Sequence, residues 1–177
     1  IYTVKDAAGN AAKPVTRLVI VSDQDPPSIS LNGNALVKLE VGSNFSDPGA
    51  QADDAVDGEV DVTITGTVDT GTLGAYSLIY KASDASGNSA TPVVRTIVVE
   101  DTTPPAIFRN GLAKTEVLQN TIYTDAGATA SDNYDSSVVV STKGEINTAQ
   151  AGIQVLTYTA LDNSGNKAKP VTRVVLV

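Results

Sequence analysis

The 177-residue chain has no cysteine, histidine, methionine or tryptophan, and its aromatics are limited to six tyrosines and two phenylalanines. Without cysteine there is no disulfide scaffold, no thiol nucleophile and no thiolate metal site. Without histidine, imidazole acid–base chemistry and histidine-ligated zinc are excluded as well. Basic residues are few, 12 against 20 acidic for a formal net charge of −8, and they are nowhere clustered. Nucleic acid and anionic membrane are therefore not expected as partners, because both require a lysine/arginine footprint. No apolar run approaches the ~20 residues of a membrane span, so no membrane insertion is expected. No stretch sustains a helical period either.

What the chain has instead is repetition. An aromatic strand, an aspartate–glycine–asparagine turn and a returning valine strand occur at 1–21, 78–100 and 156–177. Tyr2, Tyr80 and Tyr158 are spaced 78 residues apart, as are Asp6, Asp84 and Asp162. Gly9, Gly87 and Gly165, then Asn10, Asn88 and Asn166, keep the same offset. Pro14, Pro92 and Pro170, and Arg17, Arg95 and Arg173, complete the series. A spacing kept without insertion marks a tandem array of one domain. It divides the chain into 1–22, the closing hairpin of a preceding copy, and two full copies at 23–100 and 101–177. The chain starts in mid-repeat, as expected of a piece of a longer protein. A unit of this size buries only about 60–65% of its unfolded surface, so its core is small.

Within a copy the signals are those of short strands. Val37, Leu39 and Val41 alternate with Lys38 and Glu40, the period of a half-buried strand. Glu59–Thr65 reads as one strand, with Val60, Val62 and Ile64 inward and Asp61, Thr63 and Thr65 outward. Tyr76, Leu78, Tyr80 and Ala82 line one face of the next, which makes the tyrosines core residues with a hydroxyl at the rim. Arg17, Arg95 and Arg173 are expected along the sheet, paired with a carboxylate. Paired prolines at Pro26-Pro27 and Pro104-Pro105 make the junctions stiff and extended. The predicted fold is all-β, a tandem of immunoglobulin-like antiparallel sandwiches with seven strands each. Residues 1–21 form a lone hairpin, which is marginal in water and would expose Leu18–Val21. It is expected to pack on the neighbouring domain or to complete a sheet with another copy of the chain.

The phrases FSDPGAQADDAVDGEV with LGAYSLIYKASDASGN, and YTDAGATASDNYDSSV with AGIQVLTYTALDNSGN, resemble bacterial surface immunoglobulin-like repeats. Hyalin-type repeats look similar along the same hairpin. The resemblance covers both full copies and implies a tandem β-sandwich from a large secreted or surface-attached bacterial protein. Such modules serve as stalks or spacers, and also accompany secreted hydrolases. The second copy departs from the pattern where Pro48 becomes Ala126 and Gly58 becomes Ser136.

Alternating strand direction carries several acidic loops to one end of each copy. Asp23, Asp25, Asp53, Asp54, Asp57, Asp84 and Asn88 are expected around the first junction. Asp101, Asp132, Asn133, Asp135, Asp162 and Asn166 are expected around the second. Calcium takes six to eight oxygen ligands of this kind, so both groups are candidate calcium sites. The alternative is that each aspartate accepts hydrogen bonds from its own turn and needs no metal. No EF-hand spacing is present. Catalysis has little support: the carboxylate pairs sit at loop ends with no apolar cleft to raise a pKa. A lysine–asparagine isopeptide bond would need an inward lysine in both copies, and none is found. The chain is read as non-enzymatic, an extracellular, cell-surface spacer, stalk or filament module with neighbouring repeats as partners. The alternative is a glycan- or protein-binding accessory module of an adhesin or hydrolase.

Overall fold

The computed structural model describes all of residues 1–177 and consists of strands, turns and extended segments without helix. Residues 1–21 form an open ribbon closed by two bridges, Tyr2 to Val15 and Lys5 to Ala11. The Tyr2 N–H donates to the Val15 carbonyl at 2.7 Å, and the Arg17 guanidinium lies 5.9 Å from the Tyr2 ring centre. Every residue of the ribbon is exposed, Val21 to 93%. The expected packing on the following domain is therefore not what the fold provides. Two strands have no second layer against which to bury an apolar side.

The first copy contributes seven strands: β1 (Ser28–Leu31), β2 (Leu36–Glu40), β3 (Ala50–Asp54), β4 (Gly58–Val60), β5 (Val62–Thr65), β6 (Gly74–Ala82) and β7 (Val93–Glu100). They form one sheet in the order β1-β3-β4 and another in the order β2-β7-β6-β5. The second contributes six: β8 (Ala106–Arg109), β9 (Lys114–Glu116), β10 (Ala128–Ser131), β11 (Val140–Lys143), β12 (Ile153–Ala160) and β13 (Val171–Leu176). Their sheets are β10-β8 and β11-β12-β13-β9. The result is a tandem of immunoglobulin-like β-sandwiches, antiparallel except where β2 joins β7 and β9 joins β13 in parallel.

Two local outcomes differ from the sequence reading. The strand expected over 59–65 breaks at Asp61: β4 pairs with β3 in one sheet and β5 with β6 in the other. The second copy has no partner to β4, because Gly58 turns with φ +74°, a conformation that Ser136 at the matching position resists.

By compactness the chain divides into two units. One comprises Ile1–Gly33, Pro48–Thr65 and Ile79–Val94; the other Asn34–Asp47, Gly66–Leu78 and Arg95–Val177. The first is centred on Ala52, Ala82 and Ala90, packed against Ile29, Val60 and Val62. In the second, Ile97, Leu156, Tyr158 and Val175 are buried. Five of the thirteen buried apolar residues are alanine, and alanine removes little apolar area from water. Polar interior bonds must therefore carry more of the specification.

The second unit shows how. Arg95 and Arg173 pair with a carboxylate as expected, but rather than lying along the sheet they point inward and are essentially buried. Arg95 Nε meets Asp47 at 3.0 Å and its Nη1 donates to the Asn34 carbonyl at 2.7 Å. Arg173 Nε meets Asp125 at 3.2 Å, and its Nη2 donates to the carbonyls of Asn110 and Gly127. The Tyr158 hydroxyl, at the end of a fully buried ring, donates to the Asp125 carboxylate at 2.8 Å. Burial raises the pKa of that phenol, and the bond to Asp125 adds to the effect. Each arginine thus fastens a β-strand to two loops, one through a carbonyl and one through an aspartate: Asn34 and Asp47 for Arg95, Asn110 and Asp125 for Arg173.

Removing Asp125 leaves the Arg173 charge buried and unpaired, so Asp125→Ala should cost about 3–5 kcal/mol. Lys38→Ala, which breaks only the exposed pair with Glu100, should cost under about 1 kcal/mol. Urea midpoints of the two variants measure the difference. Gly144→Ala should also destabilise strongly: its φ is +103°, and an added Cβ would run into the Val155 carbonyl. Gly165→Ala, at a turn with open space around it, should cost less in the same titration.

Candidate functional site

The repeated turn is built by one aspartate. Asp84 accepts the Asn88 N–H at 2.7 Å on Oδ1, and its own N–H donates to the Asn88 carbonyl at 3.0 Å. Gly87 takes φ +91° to close the loop. Asp6 with Asn10 and Asp162 with Asn166 make the same bond, with φ +89° at Gly9 and +94° at Gly165. Glycine is required at this conformation because a Cβ would be strained there.

The acidic loop comes to meet that turn. Asp54 Oδ1 accepts the N–H groups of Val56 and Asp57, which hold its pKa below the usual carboxylate range. Asp57 Oδ2 then accepts the Ala85 N–H at 2.8 Å. In the second copy Asp132 accepts from Tyr134 and Asp135, and Asp135 accepts the Asn163 N–H at 2.6 Å. The linker is the third component. Asp23 Oδ1 accepts the Asp25 N–H and Asp101 Oδ1 the Thr103 N–H. Asn88 and Asn166 each donate an amide hydrogen to the carbonyl of that linker aspartate.

Linker, loop and turn thus bring four carboxylates together in the first copy: Asp23, Asp54, Asp57 and Asp84. In the second they bring together three, Asp101, Asp135 and Asp162. Within each group one oxygen per residue lies within 4.8 Å of the others. Asp25 and Asp53 are exposed and stand outside, Asp53 because alternation along β3 turns it away from Ala52. Asn88 and Asn166 brace the groups through hydrogen bonds. Asp132 caps its own loop beside the second group, and Asn133 points to Glu40 at 3.3 Å. Asp101 is 6% exposed. Burial raises its pKa, and Asp132 and Asp162 push the same way against the Ser164 hydroxyl and Thr103 N–H.

Glu40 is the functional residue that the sequence reading did not single out. Its carboxylate accepts from the Thr102 N–H at 2.9 Å, from both threonine hydroxyls at 102 and 103, and from Asn133. The Thr102 and Thr103 hydroxyls lead in lowering its pKa from 4.5 to about 2. As an outward residue of an alternating strand it carries no local signal, since its partners lie about sixty residues or more away.

The model of the family described as "Bacterial surface protein, Ig-like domain" matches residues 29–99 and 107–177. Hyalin from Lytechinus variegatus is 32% identical over 188 residues, covering 99% of this chain and 35% of that protein. Hyalin from Strongylocentrotus purpuratus is 30% identical over 180 residues, covering 92% of this chain and 14% of its own length. The chain therefore spans a minor part of both relatives. Among solved structures, the lipoprotein BT2262 of Bacteroides thetaiotaomicron is 20% identical at TM-score 0.39, covering 84% of this chain and 80% of that one. The fibronectin(III)-like modules of Clostridium thermocellum CbhA are 18% identical at TM-score 0.35, covering 85% and 94%. The chain belongs to the bacterial surface protein Ig-like domain family and carries two of that family's cell-surface modules in tandem.

Proposed function

We propose that the chain is a non-catalytic spacer of a secreted or surface-attached protein, whose repeats hold another part of that protein away from the cell. The observation that supports this reading is the way its connecting segment is pinned. Residues 101–103 are held by Glu40 from one side and by Asn166 from the other. A spacer needs this: each extra repeat adds length only if the segments joining repeats do not fold back. The matched regions are offset by the same 78 residues with no elaborated loop in either, as repetition for length requires. The exposed ribbon at 1–21 is then the place where a further repeat, or another copy of the chain, completes a sheet.

A second reading, a protein-binding module, has one observation in its favour. Phe108, Leu112, Leu118, Ile122, Val139 and Ile153 are exposed where the first copy has Ser30, Asn34, Glu40, Asn44, Asp61 and Ala75. Duplicating residues 23–100 separates the two. A spacer should gain about 35–40 Å in maximum dimension by small-angle scattering, the length of one strand layer with its loops. An unchanged dimension would oppose the spacer reading.

Glu40 also gives a pH signature. A carboxyl whose pKa is lower in the folded chain than in the unfolded one adds stability that is complete above the unfolded value. For Glu40 that contribution is present above pH 4.5 and lost as the pH falls through about 2. The melting temperature of the chain should therefore exceed that of Glu40→Gln at neutral pH. The gap should close across that window in a series of thermal melts, whereas a gap independent of pH would show that the carboxylate charge does not matter.

A further inference from the structure

We propose that Asp101, Asp135 and Asp162 bind one divalent cation of calcium's size. Three observations converge on this group beyond its being acidic. Asp101 and Asp162 are each only 6% exposed. In both, Oδ1 is already fixed by a backbone N–H, of Thr103 and of Asn166, while Oδ2 is buried with no hydrogen-bond partner, the nearby Ser164 hydroxyl making no bond to Asp101 Oδ2. A buried carboxylate oxygen without a donor is costly, and close like charges add to the cost. No lysine or arginine offsets it, since the ion pairs of the chain all involve other carboxylates.

The third observation is a difference between copies of the same turn. In the ribbon and in the first copy, the turn asparagine caps the second aspartate oxygen: Asn10 donates to Asp6 Oδ2 at 2.8 Å and Asn88 to Asp84 Oδ2 at 2.7 Å. In the second copy the Asn166 amide reaches only the Asp101 carbonyl, at 3.1 Å. Asp162 Oδ2 is left buried without a donor, in a residue whose carboxylate lies within 4.8 Å of those of Asp101 and Asp135. Asp135 is oriented by the main-chain and side-chain amides of Asn163, and each of its oxygens keeps a lone pair. The inference is therefore confined to the second copy, where the first has four carboxylates but a donor already on Asp84.

The donor chemistry selects the ion. All available ligands are oxygens, in a chain without histidine or cysteine, which disfavours zinc and copper. The carboxylates come from a linker, a loop and a turn, and their mutual placement is set by backbone hydrogen bonds. Calcium accepts such irregular oxygen sets and fills the rest of its shell with water, whereas magnesium demands near-octahedral geometry at about 2.0–2.1 Å. The site stands apart from the spacer reading: duplication of a repeat can fail to lengthen the chain while calcium still binds.

The test is calorimetric titration of the intact 177-residue chain, stripped with chelator, with calcium chloride at neutral pH and physiological salt. Binding is expected in the ~10⁻⁴–10⁻³ M range of extracellular calcium modules, with magnesium at least tenfold weaker. Asp135→Asn should weaken calcium binding tenfold or more, and Asp162→Asn likewise, since asparagine keeps an oxygen for the turn N–H but loses the charge. Circular dichroism confirms that each variant is folded. Should Asp162→Asn not fold, Asp135→Asn and the wild-type melt decide. At a hundredfold excess over Kd, calcium should raise the melting temperature by roughly 10 °C. No binding up to 10-fold above that range, magnesium bound as tightly as calcium, or wild-type affinity in a folded Asp135→Asn chain would each overturn the proposal.

Discussion

In all three copies of the turn one aspartate oxygen accepts the N–H of the asparagine four residues on, and the other parts of the fold are placed by bonds of that kind. The reason is a shortage of alternatives. The chain has no disulfide, and its small domains enclose a core in which alanine recurs. A loop or linker in such a domain has little apolar surface with which to settle against the sheets. A carboxylate facing one or two N–H groups fixes it instead, because a charged acceptor makes a shorter and stronger bond than a neutral one. Asp54, Asp57 and Asp84 in the first copy, and Asp132, Asp135 and Asp162 in the second, act in this way. The acidic composition is thus structural before it is anything else.

The interior follows the same logic with the charges reversed. Arg95 and Arg173 occupy positions on β7 and β13 where the alternation calls for an apolar residue, next in line to Ile97 and Val175. Each is tolerated because an aspartate lies against its charge and loop carbonyls accept from its guanidinium. Replacing such a pair by well-packed apolar residues is often neutral for stability, so the pairs serve specificity as much as strength. They tie each strand to its own pair of loops. A domain repeated in tandem benefits from that, since near-identical neighbours offer every strand a wrong partner.

Much of this was legible in the sequence. The 78-residue offset, the turn aspartates and the tyrosine strands gave the repeats, the all-β class and the end of each copy at which the carboxylates gather. The places where the reading fell short have a common cause. The break at Asp61, the burial of the arginines and the reach of Glu40 all depend on contacts between distant segments, which period and composition do not encode. Asp53 illustrates the same limit in reverse. It sits beside Asp54 in the chain, but strand alternation sends it to the opposite face. The ribbon at 1–21 has the sequence of a sandwich edge and is exposed because an edge alone has nothing to cover it.

The central claim, that carboxylates rather than an apolar core order the connecting segments, is most directly tested by amide hydrogen exchange. The N–H groups of Thr102, Asn163 and Asn166 lie outside strands but donate to Glu40, Asp135 and Asp162. The account predicts that they exchange on the order of a hundredfold or more slower than an unstructured chain, approaching the amides of β12 and β13. Exchange of these three at the rate of an unstructured chain, with the strands protected, would contradict it.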